Sequence, residues 1–175
     1  MLEQKIKKVI RDVSDFPKKD IVFKDITPIL HHQKLCVEIV DFFAHHYEDK
    51  NIDAVVGIES RGFLFGFLLA NKLNIPFVLA RKAGKLPYKT ISYEYELEYG
   101  SATIEMQVDD IQPGWNVLIH DDLLATGGTA EAAAKLIQMQ NGKIAGFTFV
   151  VELEFLKGRV KLEKYSPSII SIVGY

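Results

Sequence analysis

The sequence predicts an α/β fold with an open, mostly parallel sheet flanked by helices. Patterns typical of strands alternate with patterns typical of helices along the 175 residues. Two short apolar runs, at residues 54–58 and 117–119, each lead into a polar or glycine-containing loop and then into a helix. Ligands of open α/β sheets bind at the carboxyl ends of the strands, so we expect both loops at one binding edge.

An amphipathic helix is predicted to begin the chain. Apolar residues recur there at helical spacing with Lys and Arg between them, and Asp15-Phe16-Pro17 is expected to end the helix. The apolar positions are Leu2, Ile6, Val9, Ile10 and Val13. The next segment, residues 20–30, is apolar but interrupted by Lys24 and Asp25. From the residues alone, its Phe23 is interpreted as a core side chain.

Helices and strands alternate over the rest of the chain. An apolar face predicts a helix over residues 33–50, and further helices are predicted over 63–72 and 131–140. Asn141-Gly142 fits the C-cap of the last of these. Short apolar runs predict the strands, at residues 54–58, 77–80, 117–119, 144–153 and 169–173.

A β-hairpin is predicted between the strand at residues 77–80 and the strand at residues 117–119. Residues 92–99 alternate, with tyrosine and leucine on one face and Glu94, Glu96 and Glu98 on the other. Gly100-Ser101 turns the chain, and residues 102–108 return as the second strand. The acidic face could simply be the solvent-exposed side of an edge hairpin, so the spacing does not select one of the three glutamates.

Composition narrows the function classes. The net charge of −2 argues against a general nucleic-acid or membrane-surface binder, and the longest apolar stretches are too short to span a membrane. A single cysteine, Cys36, excludes an internal disulfide and fits a reducing compartment, so we expect a cytoplasmic protein. The histidines show no metal-ligand spacing, so no protein-built metal site is predicted. Residues 1–175 are expected to form one domain.

Residues 117–130 carry the most informative pattern: strand, acidic pair, glycine loop, helix. Gly127-Gly128 lets the backbone approach a ligand, and a helix N-terminus follows, so a phosphate fits there. The hydroxyls of Thr126 and Thr129 can donate to the same anion. Asp121-Asp122 would repel a phosphate but suits sugar hydroxyls or Mg²⁺. A ribose 5-phosphate combines both requirements, whereas an ordinary strand–turn–helix is the alternative.

These residues also carry a family resemblance. The segment 120–129 resembles the phosphoribosyl-pyrophosphate (PRPP) motif of the type I phosphoribosyltransferases, and its spelling is similar to that of the members that act on adenine. Neither a P-loop nor a dinucleotide fingerprint fits, because no Lys-Ser/Thr follows Gly128 and Gly-x-Gly-x-x-Gly is absent from the sequence. Four segments between about Asp15 and Gln140 carry the resemblance in the expected order.

The resemblance implies a role for each part of this motif. The 5-phosphate would bind to the loop formed by Ala125, Thr126, Gly127, Gly128 and Thr129. Asp121 and Asp122 would hold the ribose hydroxyls, directly or through water bound to Mg²⁺. The magnesium ion is expected to arrive with PRPP.

Two further segments resemble the parts of the family that hold pyrophosphate. Residues 57–63 are similar to its pyrophosphate loop, which implies contacts from Ser60 and Arg61 and a non-proline cis peptide near Glu59–Ser60. The basic loop after residue 80 would add Arg81, Lys82 and Lys85. In the family, the residue at Arg81 is expected to reach the partner subunit's site, which requires a homodimer.

The base site follows from the resemblance of residues 15–30 and 97–100. Phe23 would stack on adenine, while Lys24 and Leu123 would complete the base pocket. The family pattern has a glycine where Asp20 stands. Glu98, which precedes Tyr-Gly, would face the base and shuttle a proton. The N-terminal segment and the hairpin are expected to form a small hood over the binding edge.

The expected reaction is therefore adenine plus PRPP giving AMP and pyrophosphate. Arg61, Lys82 and Lys85 would stabilise the charge on the leaving pyrophosphate. Two alternatives stay open from the sequence: a phosphoribosyltransferase for another purine base, and a non-catalytic regulator that binds PRPP.

Overall fold

A mostly parallel β-sheet lies at the centre of the computed structural model, which describes residues 1–96 and 100–175. The helices are α1 (Leu2–Val9), α2 (Gln33–Tyr47), α3 (Gly62–Leu73), α4 (Gly128–Met139) and α5 (Arg159–Leu162). The strands are β1 (Arg11–Ser14), β2 (Val22–Asp25), β3 (Ala54–Ile58), β4 (Phe77–Lys82), β5 (Thr90–Glu96), β6 (Ser101–Gln107), β7 (Asn116–Leu124), β8 (Lys143–Glu152) and β9 (Ile169–Gly174).

The strand order confirms the predicted α/β class. Within the described residues, seven strands pair in the order β5-β6-β4-β3-β7-β8-β9. Five adjacent strands are parallel: β4, β3, β7, β8 and β9. The predicted hairpin, formed by β5 and β6, adds an antiparallel edge beside β4. Since parallel strands need crossover connections, helices cover both faces of the sheet.

The core is divided by the sheet into two layers. On one face, α4 packs its alanines and Leu136 against β7 and the hairpin, with Ile119 buried between them. On the other face, α1, α2 and α3 bury Phe43 and Phe65 against Leu118. Burial on both faces explains why the central strands appear in the sequence as continuous apolar runs rather than as alternating ones.

β7 is longer than the sequence predicted. The apolar run ends at Ile119, but the strand continues to Leu124. Asp121 and Asp122 therefore lie within the strand instead of following it. Backbone pairing with β8 persists as far as the Leu124–Glu152 pair. Polar side chains can continue a strand where the ladder is intact and their own oxygens face a cleft.

The prediction that the first helix reaches Val13 was wrong. α1 ends at Val9, and Ile10 already has an extended backbone. β1 then pairs antiparallel with β2, placing Val13 opposite Phe23 in a small two-stranded sheet. Val13 fits the helical spacing but belongs to a strand, because the turn at residues 15–20 brings β2 back alongside β1.

Asp20 adopts the conformation for which the family pattern has a glycine. Its φ of 66° lies in the left-handed region, which Asp tolerates better than most residues. Its backbone N–H donates to Asp15 Oδ1 at 2.8 Å. Asp20 therefore supports a left-handed turn at this position. In the described parts of the chain, we find no helix with the length and apolar character needed to cross a membrane.

Asp25 links β1 to the turn that follows β2. One carboxylate oxygen accepts the backbone N–H and the hydroxyl of Thr27, at 2.9 and 2.7 Å. The other accepts Arg11 Nη2 at 2.8 Å across the small sheet. The hydrogen bonds from Thr27, aided by the Arg11 charge, lower the pKa of Asp25 from 3.8 to about 2.

Asp25→Asn is expected to lower the free energy of unfolding by about 1 kcal/mol at neutral pH, since the amide loses the charged interactions. A lowered folded-state pKa stabilises the fold above the unfolded-state value of 3.8, and this contribution is lost as the pH falls towards about 2. Urea unfolding of both proteins from pH 7 downwards measures the difference. A difference that persists unchanged to pH 2 would contradict this account.

Candidate active site

The carboxyl ends of β3 and β7 form one edge of the sheet, as predicted. The two strands pair in parallel register from Ala54–Val117 to Gly57–His120. The loops that leave them begin α3 and α4, so both helix N-termini lie at this edge. A cleft of about 190 Å³ opens here. It is lined by Ile58, Glu59, Arg61, Ala80, Lys82, Tyr95, Ile104, Asp121, Asp122, Leu123 and Thr129.

The glycine loop forms a smaller hollow of about 70 Å³ beside the cleft. Residues 125–129, which we call the phosphate loop, line this hollow together with Asp121. Gly127 has a φ of 80° and lies immediately before α4. The first N–H groups of a helix have no partner within it, so this hollow suits an anion. The hydroxyl of Thr129 lies 3.1 Å from the hydroxyl of Tyr95 on the hairpin.

Asp121 borders both cavities, and Asp122 lines the main cleft. Asp122 is 4% exposed and accepts Arg61 Nε at 2.5 Å, while its own backbone N–H donates to Asp121 Oδ1 at 2.8 Å. Burial, together with the neighbouring Asp122 carboxylate, raises the pKa of Asp121. A Cβ on Gly62 would lie 2.9 Å from Asp121 Oδ1, so only glycine lets α3 begin this close to β7. Hydroxyl donors or a cation would stabilise this pair.

Arg61 connects the three parts of the predicted site. Besides its bond to Asp122, its guanidinium carbon lies 5.1 Å from the centroid of the Phe23 ring. Phe23, in turn, makes an edge-on contact with Phe16 at 5.1 Å. The side chain assigned to pyrophosphate therefore contacts the residues assigned to the ribose and to the base.

The peptide between Glu59 and Ser60 is cis, as the resemblance implied. Glu59 has a role that the sequence did not indicate: its carboxylate accepts Arg81 Nη2 at 2.9 Å and the Lys82 backbone N–H at 2.9 Å. Hydrogen bonds from Arg81 lower the pKa of Glu59 despite its partial burial. Arg81 also donates to the Lys85 carbonyl at 3.1 Å, so its guanidinium is held within its own chain.

The structure brings together most of the predicted site residues but not all. Among the described residues, Ser60, Arg81, Lys85, Phe23 and Lys24 lie outside the lining of the main cleft. The Lys24 amine bonds to Asp12 at 2.8 Å and lies 4.0 Å from the Tyr175 ring centroid, so its side chain faces away from the cleft. Its backbone is part of β2, in register with Asp12 of β1.

The hairpin is described on either side of residues 97–99. Glu98, the predicted proton shuttle, lies outside the described residues. Glu94 and Glu96 are exposed, whereas Tyr93 and Tyr95 are partly buried, as the alternation predicted. Glu94 accepts a hydrogen bond from the Ser101 hydroxyl. Tyr95 contributes to the cleft, which the sequence could not reveal because the contact depends on how the hairpin folds over α4.

His120 lies in the core, at the middle of β7. It is fully buried, with Nδ1 2.9 Å from Thr148 Oγ1 and its ring 5.6 Å from that of Phe43. Burial lowers the pKa of His120 to about 3, so the ring is neutral at physiological pH. It is turned away from the cleft that Asp121 lines. Over residues 1–96 and 100–175, we find no group of three or more His, Cys, Asp or Glu side chains placed to hold a metal ion.

Comparison with known proteins agrees with this geometry. The family model described as the phosphoribosyl transferase domain matches residues 25–172. The chain belongs to the phosphoribosyltransferase family. The adenine phosphoribosyltransferase of Cytophaga hutchinsonii is 51% identical over 175 residues, covering 100% of this chain and 97% of that protein. The one from Methanococcus maripaludis is 51% identical, covering 97% of this chain and 98% of its own length.

Solved phosphoribosyltransferases also have this fold. The crystal structure of adenine phosphoribosyltransferase from Thermoanaerobacter pseudethanolicus superposes with a TM-score of 0.95 at 47% identity, and 100% of both chains is covered. The enzyme from Saccharomyces cerevisiae, in complex with adenine and an imino-altritol bisphosphate, gives a TM-score of 0.91 at 40% identity over 98% of each chain. The predicted resemblance to the adenine-specific members is thus confirmed.

Proposed function

We propose that this phosphoribosyltransferase transfers the 5-phosphoribosyl group of PRPP to adenine, giving AMP and pyrophosphate in purine salvage. The observation that carries the proposal is the meeting of Arg61, the acidic pair and the phosphate loop at one edge of a sheet shared with adenine phosphoribosyltransferases. The yeast relative was solved with adenine, which supports the choice of base. We further propose that residues 1–175 form one such domain.

The phosphate loop would anchor the 5-phosphate. Ala125, Thr126, Gly127, Gly128 and Thr129 surround a hollow at the N-terminus of α4. Backbone N–H groups and the helix dipole favour an anion there, and the threonine hydroxyls can donate to it. One end of PRPP is thereby fixed before the reaction begins.

Asp121 and Asp122 would hold the ribose hydroxyls. The reacting ribose carbon gains positive charge as its bond to pyrophosphate loosens, and two nearby carboxylates stabilise that charge. The donor set also fits Mg²⁺: burial and then the neighbouring Asp122 carboxylate raise the pKa of Asp121, and a cation would stabilise its ionised form. Magnesium bound with PRPP would supply neutralisation of the pyrophosphate charge.

The cationic side chains would stabilise the departing pyrophosphate. Arg61 and Lys82 line the cleft, Arg81 precedes Lys82 at the end of β4, and Ser60 and Lys85 lie in the loops after β3 and β4. Arg61 must exchange Asp122 for pyrophosphate oxygens, which frees that carboxylate for the ribose. The same movement takes its guanidinium off the ring of Phe23 and clears that ring for adenine, with Leu123 and the backbone near Lys24 completing the base site.

Glu98 would shuttle a proton on the base ring, a role worth about 10²–10⁴ in rate. In the sequence it follows Tyr95 of β5, which lines the cleft. Closure of this hairpin over the substrates would exclude water and so prevent the hydrolysis of PRPP.

A homodimer fits the surface of α3. Leu64, Phe67 and Leu68 are 40%, 57% and 45% exposed on this helix, whose composition is apolar on nearly every side. Such a patch is typical of a surface that a partner covers. Arg81 would need to leave Glu59 to reach the partner subunit's site. The single cysteine remains consistent with a cytoplasmic location.

Light scattering is expected to give about twice the chain mass of 19.8 kDa. Phe67→Asp places a charge on the α3 patch and is expected to yield monomers. Met139→Asp is the matched control, since Met139 is also 54% exposed but ends α4. A monomeric wild-type protein would exclude the dimer.

The activity is tested by offering adenine, hypoxanthine, guanine or xanthine separately with PRPP and Mg²⁺, and measuring nucleotide formation. We expect AMP from adenine alone. Turnover of another base would keep the PRPP site but refute the assignment of the base pocket. PRPP binding without any product would favour the regulator.

Glu98→Gln is expected to lower kcat with adenine by about 10²-fold, since the amide cannot shuttle a proton. Glu96→Gln, on the same strand pattern, is the control, and we expect its kcat to stay near that of the wild type because Glu96 is exposed. Equal kcat values for the two variants would remove Glu98 from the proposed site.

A further inference from the structure

Gly158 packs directly against the back of the phosphate loop. A Cβ on Gly158 would lie 2.2 Å from the Ala125 carbonyl oxygen and 3.0 Å from the Gly127 nitrogen. Conversely, a Cβ on Gly127 would lie 2.6 Å from the Gly158 carbonyl oxygen. The two segments therefore meet backbone to backbone, and neither position has room for a side chain.

We infer that Gly158 is a positioning residue for the 5-phosphate, and that Arg159 holds it in place through Glu152. The inference rests on the proposed function, because the ligand it concerns is the 5-phosphate of PRPP or AMP. Gly158 contacts the backbone of the loop but is not among the residues that line the hollow, so it acts on the ligand only through the loop.

Arg159 fixes this segment to the ends of two strands. Its Nε and Nη2 donate to the Glu152 carboxylate at 3.1 and 2.5 Å, and Nη1 donates to the Ile169 carbonyl at 2.7 Å. The Ser171 hydroxyl also donates to Glu152 at 2.5 Å. Only 7% of the Glu152 side chain is exposed, and a paired, desolvated carboxylate of this kind resists displacement.

The loop is attached to the same strand at its beginning. The Leu153 N–H, at the end of β8, donates to the Leu124 carbonyl at 2.9 Å, immediately before Ala125. A Cβ on Gly158 would also lie 3.0 Å from Leu124 Cδ1. Glu152, Leu153 and Gly158 thus support the rear of the phosphate loop, while its front faces the hollow.

Rigid support matters here because the 5-phosphate would be bound mainly by backbone N–H groups. Such donors are effective only when their positions are fixed before the ligand arrives. A methyl group between Gly158 and the Ala125 carbonyl must push the loop towards the hollow or move residues 157–159 away. Ligands that carry a 5-phosphate would then bind less well, whereas pyrophosphate, which binds at Arg61 and Lys82, would not be affected.

Calorimetric titration of Gly158→Ala with AMP, and separately with pyrophosphate and Mg²⁺, tests the inference. We expect the Kd for AMP to rise about tenfold or more and the Kd for pyrophosphate to change less than twofold. In turnover, KM for PRPP should rise while KM for adenine stays within about twofold of the wild-type value.

Gly142→Ala is the matched control. Its Cβ would lie 2.6 Å from Ile137 Cγ2 and 2.8 Å from Ile111 Cγ2, next to the opposite end of β8. We expect it to lower the melting temperature and to leave both Kd values unchanged, which separates positioning from general stability.

Arg159→Lys gives a second variant in case Gly158→Ala does not fold. Lysine keeps the charge opposite Glu152 but not the forked donors, so the Kd for AMP should rise and that for pyrophosphate should not. Unchanged AMP affinity in a folded variant, or an equal loss for both ligands, would overturn the inference. A wild-type protein that binds pyrophosphate but not AMP would instead refute the proposed function, and the inference with it.

Discussion

The parallel pairing of β3 with β7 is the constraint on which the site depends. It runs in register to Gly57 and His120, so the loops after both strands leave the sheet at the same level. Close packing makes this geometry specific: a Cβ on Gly57 would collide with the Phe77 ring at 2.4 Å, and Gly62 adjoins Asp121. The arginine on one loop and the acidic pair on the neighbouring strand meet because these backbones can approach so closely.

Charges within the cleft are balanced by pairs that substrate groups can replace. Arg61 bonds to Asp122 in the cleft and Arg81 bonds to Glu59 beside it, so both arginines are held by carboxylates. Pyrophosphate is a more highly charged partner for Arg61, and the carboxylate it leaves can turn to a ribose hydroxyl. The Arg61 side chain is 39% exposed, so a ligand that enters the cleft can reach its guanidinium.

Sequence reasoning predicted the regular elements because their apolar patterns are local. It failed where pairing between distant segments decides the structure. Val13 fits a helical spacing, yet it pairs with Phe23 in a strand, and β7 extends past Ile119 because β8 continues beside it. The site showed the same division. The phosphate loop and the acidic pair are close in the sequence, so their pattern could be recognised. The contact of Gly158 with Ala125 involves only backbone atoms, so no pattern of residue types predicts it.

The alternation of side chains along β7 decides which of its ionisable groups face the cleft. His120 precedes the acidic pair directly, and a protonated imidazole there would neutralise part of it. Instead the strand turns His120 into the core against Phe43, where burial keeps it neutral, with a pKa of about 3. Within residues 1–96 and 100–175, the hydrogen-bonded cation opposite the pair is therefore Arg61, which pyrophosphate would draw away. In the proposed reaction, the two carboxylates would then be left to interact with the positive charge that develops on the ribose.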